Sequence, residues 1–426
     1  MNMKNLKFYL ITMFIGLIIS CTSEQIEKQE FIPVFSEDYG QVIGMVNDFK
    51  ESHDFSTSKR SSNDSKMNIR KIKTKTYAFD VNEKIAANPR FKRDSKNGKK
   101  LEVLVSTVEF EENGKEGFSI ATDDERIKRV YAFTESGKLS DTTFNIGLKA
   151  ALHDIELICE QDLMQYYAEE DTTVGTREAI ISGNHLLVPP ITGLQWGQDA
   201  PFNQLAMTCS SVNWIYAGHA PAGCVPVAIA QSVAYLCPPA LSSYNISGLR
   251  NIIGYAHGTI NAPWVSNMAV FLRYIGSCVN ISYGCGSSGA LTREIRNEFD
   301  SWGIGYVYRQ NTNVDIQDLA YNLYLGYPHI TAGFTKNPRE GHAWIWEGID
   351  CFFTSIQPTK VYIVPNSFVM VYCNWGWGLD TGNGWYAQSN MEQPSIMTKP
   401  FLDDNDQIYI NNLQFTVPPR GPMYLY

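Results

Sequence analysis

The sequence predicts an α+β protein in which a smaller strand-plus-helix domain precedes a larger domain of mixed helices and strands. Three observations predict it. All nine tryptophans lie at or beyond Trp196, while charge crowds the part before it. Residues 57–100 hold fourteen Lys or Arg against four Asp or Glu, residues 101–185 hold seven against eighteen, and from 186 onward the counts are ten against fourteen. Between residues 101 and 165 short apolar alternations precede a helical stripe, and beyond 186 helical periodicity alternates with β-branched and aromatic runs. With 426 residues, 44% of them hydrophobic, the chain has material for a sizeable core and exceeds the usual size of one domain.

The N-terminus carries Lys4 and Lys7, the apolar run Phe8 to Ile19, then Ser20-Cys21, the layout of a secretory signal too short to remain as a spanning helix. Ile18-Ile19-Ser20-Cys21 resembles a bacterial lipobox. That reading makes residues 1–20 a lipoprotein signal peptide and Cys21 the lipidated first residue of the mature chain. It places the protein in a bacterial cell envelope, facing the periplasm or the cell surface, with the membrane touched through the lipid alone. The basic stretch 57–100 reads as a solvated face. A net charge of −9 and the lack of a recognisable binding motif argue against a nucleic-acid partner.

Leu101–Phe110, Gly117–Thr122 and Ile127–Phe133 read as a meander of strands. Phe144, Leu148, Leu152, Ile155, Ile158 and Leu163 then recur at three- to four-residue spacing, an apolar stripe fit to pack a helix on that sheet. Residues 170–193, with Pro189-Pro190, read as an exposed connection open to proteolytic nicking. In the larger part, Val265–Ile275 and Leu291–Trp302 have helical periodicity, His342–Ile349 and Tyr362–Cys373 read as strands, and the glycines of 284–289 and 376–384 mark loops.

The chemistry gathers at Cys224. In Ala222-Gly-Cys-Val-Pro-Val-Ala-Ile-Ala-Gln231 a glycine turn delivers a thiol onto the first turn of a helix expected to run to about Leu236. There the unpaired backbone N–H groups and the helix dipole favour the thiolate, and Pro226 fits a first turn. A buried, inert cysteine is the other reading of the same run. Of seven histidines, His342 alone opens a strand-like run after a glycine, as a rigidly held base or a packing residue would. Asn374-Trp-Gly-Trp-Gly378 ends a strand in an aromatic loop, where Asn374 or the carbonyl of Trp375 is placed to orient an imidazole and Trp377 to shield it in the substrate cleft. Gln198, twenty-six residues before the thiol, is either an oxyanion donor paired with the N–H of Cys224 or polar surface. Setting aside Cys21 and Cys224 leaves seven cysteines of nine, so at least one is free, and their pairing stays open. Cys278 and Cys285 lack flanking ligands at zinc spacing, so neither a structural metal nor a cofactor is expected.

Four runs in order, Trp-Gly-Gln-Asp-Ala-Pro-Phe-Asn at 196–203, Gly-Cys-Val-Pro-Val-Ala-Ile-Ala-Gln at 223–231, Gly-His-Ala-Trp at 341–344 and Asn-Trp-Gly-Trp-Gly at 374–378, resemble the streptopain-like cysteine peptidases, whose fold is related to papain's. The resemblance covers roughly residues 190–390. It implies a papain-like cysteine peptidase domain over 186–426, hydrolysing protein or peptide substrates, with Cys224 as nucleophile, His342 as proton acceptor, Gln198 as oxyanion donor and Trp375 orienting the histidine. It also implies that residues 21–185 are an inhibitory propeptide domain and that the chain is a zymogen. Two departures stand out: Pro226-Val227-Ala228 replaces the usual Ala-Thr-Ala, and Gly378-Leu379-Asp380 replaces a common double glycine. They motivate a rival expectation, a catalytically silent surface lipoprotein that uses the fold to bind a partner.

Overall fold

A computed structural model describes residues 39–55, 67–94, 100–168, 184–210, 216–256, 259, 264–310, 315–334, 340–365, 367–388, 406–410 and 424–425. The signal segment 1–20, the lipidation candidate Cys21 and residues 170–183 of the expected connection lie outside the described residues; the rest of that connection is not exposed as expected, because Asn184–Val188 is a strand whose Leu186, Leu187 and Val188 are buried in the sheet. The elements of the first part are α1 (Gly40–Ser52), β1 (Asn68–Asp80), α2 (Glu83–Ala87), α3 (Pro89–Asp94), β2 (Lys100–Glu112), β3 (Lys115–Thr122), β4 (Arg129–Thr134), α4 (Ile146–Ala168) and β5 (Asn184–Val188). The second part follows with α5 (Cys224–Leu236), α6 (Ile246–Leu249), α7 (Val265–Cys278), α8 (Arg296–Trp302), β6 (Tyr306–Gln310), α9 (Ile316–Tyr324), β7 (His329–Phe334), β8 (Gly341–Gln357), β9 (Lys360–Ile363), β10 (Val369–Asn374), β11 (Gly384–Gln388), β12 (Asp406–Ile410) and β13 (Tyr424–Leu425). Among the described residues no helix is long and apolar enough to cross a membrane.

The strands expected over 101–133 are β2, β3 and β4, and the apolar stripe after Phe144 is α4. The stripe works as its spacing requires, burying Leu148, Ala151, Ile155, Ile158 and Leu163. Asn145 caps the helix by accepting the Leu148 N–H at 3.0 Å. The basic stretch contains an element its composition did not suggest. β1 is a thirteen-residue strand antiparallel to β2, at the end of the strand order, where lysines discourage pairing with another chain. Arg70 meets Glu111 at 2.6 Å and Lys73 meets Glu109 at 3.5 Å across this ladder. Part of the basic block and part of the acidic block therefore face each other as neighbouring strands.

The sheet runs β1-β2-β3-β4-β11-β10-β8-β7-β12-β6, with β5 and β9 also pairing β8. The boundary written in tryptophan and charge is thus not a break in the sheet: Phe133 pairs Trp385 and Ala132 pairs Tyr386 across β4 and β11. The run expected as one strand over Tyr362–Cys373 is instead two, β9 and β10, both antiparallel to β8. Pro365 between them cannot donate to a ladder. The tail beyond Met391, which the sequence left unplaced, supplies β12 between β7 and β6 and β13 against β5. Among the described residues one disulfide is formed, Cys209–Cys285, while Cys159, Cys224, Cys237, Cys278, Cys351 and Cys373 are free.

Candidate active site

Helix α5 begins at Cys224. The turn before it needs glycine twice over: Gly223 has φ +92°, and a methyl group there would lie 2.7 Å from Ile281 Cδ1. Pro226 occupies the first turn without disturbing it, since Val227 N–H still reaches the Gly223 carbonyl at 3.1 Å. Burial pushes the Cys224 thiol up, and hydrogen bonds from the backbone of Ala343, Val225 and Cys224 itself pull the other way. The contact with Ala343 brings the sulfur to the start of β8, beside His342.

His342 is buried, the second residue of β8, in a strand flanked on both sides by partners rather than at a sheet edge. Its Nε2 donates to the Trp375 carbonyl at 2.9 Å. A carbonyl only accepts, so this bond places the imidazole proton on Nε2 and leaves the Nδ1 lone pair for another hydrogen. Trp375 is itself pinned: its N–H donates to Asn383 Oδ1 at 2.8 Å and its indole N–H to the Gly382 carbonyl at 3.0 Å. Trp344 and Trp377 lie parallel to the imidazole, with ring centroids 6.2 and 6.0 Å away. In this enclosure burial lowers His342 to about 4, opposed by the bond to Trp375. Burial therefore disfavours the charged form of both groups here, against the ion pair that the position of Cys224 at a helix start suggests.

Gln198 is buried, and its Nε2 has no hydrogen-bond partner. Its main-chain carbonyl accepts from Ala222 N–H at 2.7 Å, which fixes the backbone of the glutamine to the turn leading into Cys224. Asn203, at the end of the same run, donates to the carbonyls of Tyr216 and Ala220 at 3.0 and 3.2 Å and holds the other end of that turn. Gly378 N–H donates to the Trp196 carbonyl at 3.1 Å, joining the glutamine run to the tryptophan loop.

Asn374 is a correction. It does not touch the imidazole: its Nδ2 donates to the Leu194 carbonyl at 2.5 Å and to Gln231 Oε1 and Glu347 Oε1 at 3.2 Å each, while its Oδ1 accepts from Gly376 N–H at 3.2 Å. Its place next to Trp375 suggested an orienting role, but the backbone turns its side chain to the rear of the loop. Trp377 lies by the imidazole as expected, though only 8% exposed and covered by Phe144, whose ring meets it edge-on at 5.5 Å.

The cover extends along the start of α4. A methyl group added to Gly147 would lie 2.9 Å from His342 Cδ2 and closer still to the Trp375 ring, so only a glycine lets the helix come this near. Asn145 Nδ2 donates to the Thr381 carbonyl at 3.1 Å, and Gly382 N–H to the Ser136 carbonyl at 2.9 Å. The sequence marks Phe144 only as the start of an apolar stripe and Gly147 not at all, because their role depends on the chain folding back across about two hundred residues.

The peptidase C10 family matches residues 196–386. These residues belong to that family, the streptopain family of cysteine-type peptidases. The match takes in all four runs, from Trp196 through the Trp375 loop to Tyr386. The chain is a cysteine-type peptidase, a hydrolase acting on protein or peptide substrates. A comparison with curated proteins finds no match.

Proposed function

We propose that this C10 peptidase is a secreted, lipid-anchored cysteine endopeptidase made as a zymogen. The observation that carries the catalytic half is the meeting of the α5 start with β8: Cys224 lies against the Ala343 backbone while the Trp375 carbonyl holds the neighbouring His342 by Nε2. In the working form His342 Nδ1 takes the thiol proton and the sulfur attacks the scissile carbonyl carbon. Gln198 Nε2 and the Cys224 N–H receive the oxyanion, the first of these being a buried donor without a partner. His342 then passes the proton to the departing amine. Water, deprotonated by the same imidazole, cleaves the thioester and returns the thiol.

Residues 21–185 act in this reading as the chain's own inhibitor. Gly147 and Phe144 cover the imidazole and Trp377, and the resulting burial keeps both reacting groups neutral. Cleavage between about Glu170 and Leu194 releases the cover, lets water in, and moves His342 up and Cys224 down toward an ion pair. The anchor at Cys21 and the envelope location rest on the sequence of residues 1–21. The neutral Cys224–His342 pair also fits the rival reading, a silent lipoprotein that uses the fold to bind a partner.

The deciding experiment follows the chain lacking residues 1–20 beside its Cys224→Ala variant, by intact mass and by cleavage of a denatured protein. Loss of an N-terminal fragment with thiol-dependent cleavage in the wild type, both absent in the variant, supports the zymogen. Equal cleavage by the variant sinks the mechanism, and silence of both after the connection has been cut by an added protease favours the binding protein. Incorporation of labelled fatty acid into the full chain, lost in Cys21→Ser, tests the anchor.

A further inference from the structure

Behind the catalytic pair lies a second buried cluster that none of these roles uses. Glu347 follows His342 by five residues on β8 and is 1% exposed. The register of β8 on β10 passes from Gly348↔Tyr372 to Trp346↔Cys373 and skips Glu347. Such a bulge re-aims one side chain out of the ladder. The carboxylate so placed takes three donors: Thr192 N–H at 3.1 Å, the Thr192 hydroxyl, and Asn374 Nδ2 at 3.2 Å. Its main-chain carbonyl accepts from Ile191 N–H at 2.9 Å. Asn374 continues the cluster to Leu194 and Gln231, and Gln231 Oε1 accepts the Trp196 N–H at 2.9 Å.

The cluster therefore ties four segments at one point: the chain leading to Gln198, the helix headed by Cys224, the strand bearing His342, and the residue before Trp375. Its bonds span 27 to 180 residues of sequence. A buried carboxylate is expensive, and a well-packed apolar residue in its place is often neutral or stabilising, so stability alone does not explain it. Its two acceptor oxygens do, because every neighbour it meets offers a donor.

We propose that Glu347 is a positioning residue of the peptidase site: by accepting from Asn374 and Thr192 together it sets the Trp375 carbonyl against His342 and Gln198 against the nucleophile. This rests on the peptidase reading above. Protonation weakens the device, since the acid form must turn one acceptor into a donor. Burial lifts this carboxyl to about 7, while Tyr372 and Cys373, the titratable groups facing it from β10, are held protonated by their own burial.

The test compares the full chain with Glu347→Asp, Glu347→Gln and Thr192→Val, all with the N-terminal segment released by cutting at the connection. Two readouts are kcat and KM for a peptide, and the rate of Cys224 alkylation by iodoacetamide mapped by mass, each from pH 5 to 8. At pH 8 Glu347→Gln should lower kcat by about 10- to 100-fold with KM little changed, the scale of a misplaced reacting group. The shorter Asp, which keeps two acceptors, should retain more activity than the isosteric Gln. The ratio of wild type to Glu347→Gln should shrink toward one as pH falls below about 7. Gln outperforming Asp, or a ratio flat with pH, overturns the proposal. Where Glu347→Gln fails to fold, Thr192→Val carries the test, because it removes one hydroxyl donor and keeps the N–H. If the wild type cleaves nothing, the peptidase reading falls. The alkylation ratios still decide for or against the positioning role.

Discussion

Two buried amides, one at the front of the site and one at its rear, look alike in sequence and differ in what surrounds them. Gln198 points its Nε2 at no partner, whereas Asn374 gives its Nδ2 to three oxygens. A buried donor left unpaired costs free energy in the resting protein. At a reaction centre that donor is available to a charge that appears only in the transition state. A saturated amide offers nothing to substrate and instead locks the loops that carry Trp375 and Gln198. On the function proposed above, the front of the site serves chemistry and the rear rigidity.

The comparison breaks most sharply on Gln198. Gln198→Ala should lower kcat by about 10²- to 10³-fold, the usual effect of removing one oxyanion donor, with the melting temperature nearly unchanged. A loss of stability with little loss of kcat would place it with the rear amides. Asn374→Ala should show the opposite balance. It strands the Leu194 carbonyl and Glu347 Oε1 in the interior, leaves Gln231 Oε1 with the Trp196 N–H alone, and should destabilise by about 2–4 kcal/mol in denaturant melts, with kcat per folded molecule falling less than in Gln198→Ala.

A third buried polar group sharpens the lesson, because it lacks hydrogen-bond partners and yet lies away from the reacting atoms. Asp154, on the buried face of α4, has no hydrogen bond to either oxygen, and His153 Nδ1 stands 3.7 Å away. Burial raises it from 3.8 to about 7. The folded state thus holds a proton that the unfolded state has released between about pH 4 and 7, so stability drains away as pH rises through that window. Asp154→Asn should match the wild type near pH 4 and exceed it above pH 7, by about 4 kcal/mol at most. Equal pH profiles for the two would show that water reaches the carboxylate. An orphaned group marks a reaction site only when it adjoins a nucleophile.

Much of this was legible in local pattern. The glycine turn, thiol and apolar run at 222–236 specify a helix headed by Cys224 without help from the rest of the chain. The 3.6-residue stripe after Phe144 specifies α4. The reading failed where local and distant forces compete. β1 escapes the pattern because a terminal strand exposed over most of its length, with Ala78 and Asp80 exposed on either side of the buried Phe79, needs no apolar alternation. Tyr362–Cys373 was read as one strand because its β-branched residues outweighed a single proline.

What the sequence by itself determined was the inventory: a cysteine at a helix start, a histidine opening a strand, a glutamine and a tryptophan loop in the order of the four runs that the C10 family match takes in. These depend on periodicity and turn chemistry within about ten residues. Only the tertiary structure decided which groups are engaged and which are left over. Whether Gln198 is unpaired, whether Asn374 faces the imidazole, whether the base is neutral, and that Gly147 lies over His342 all depend on contacts between residues far apart in the chain. Burial and hydrogen bonding at such distances are properties of the packed whole, and the desolvation they produce sets both pKa and availability.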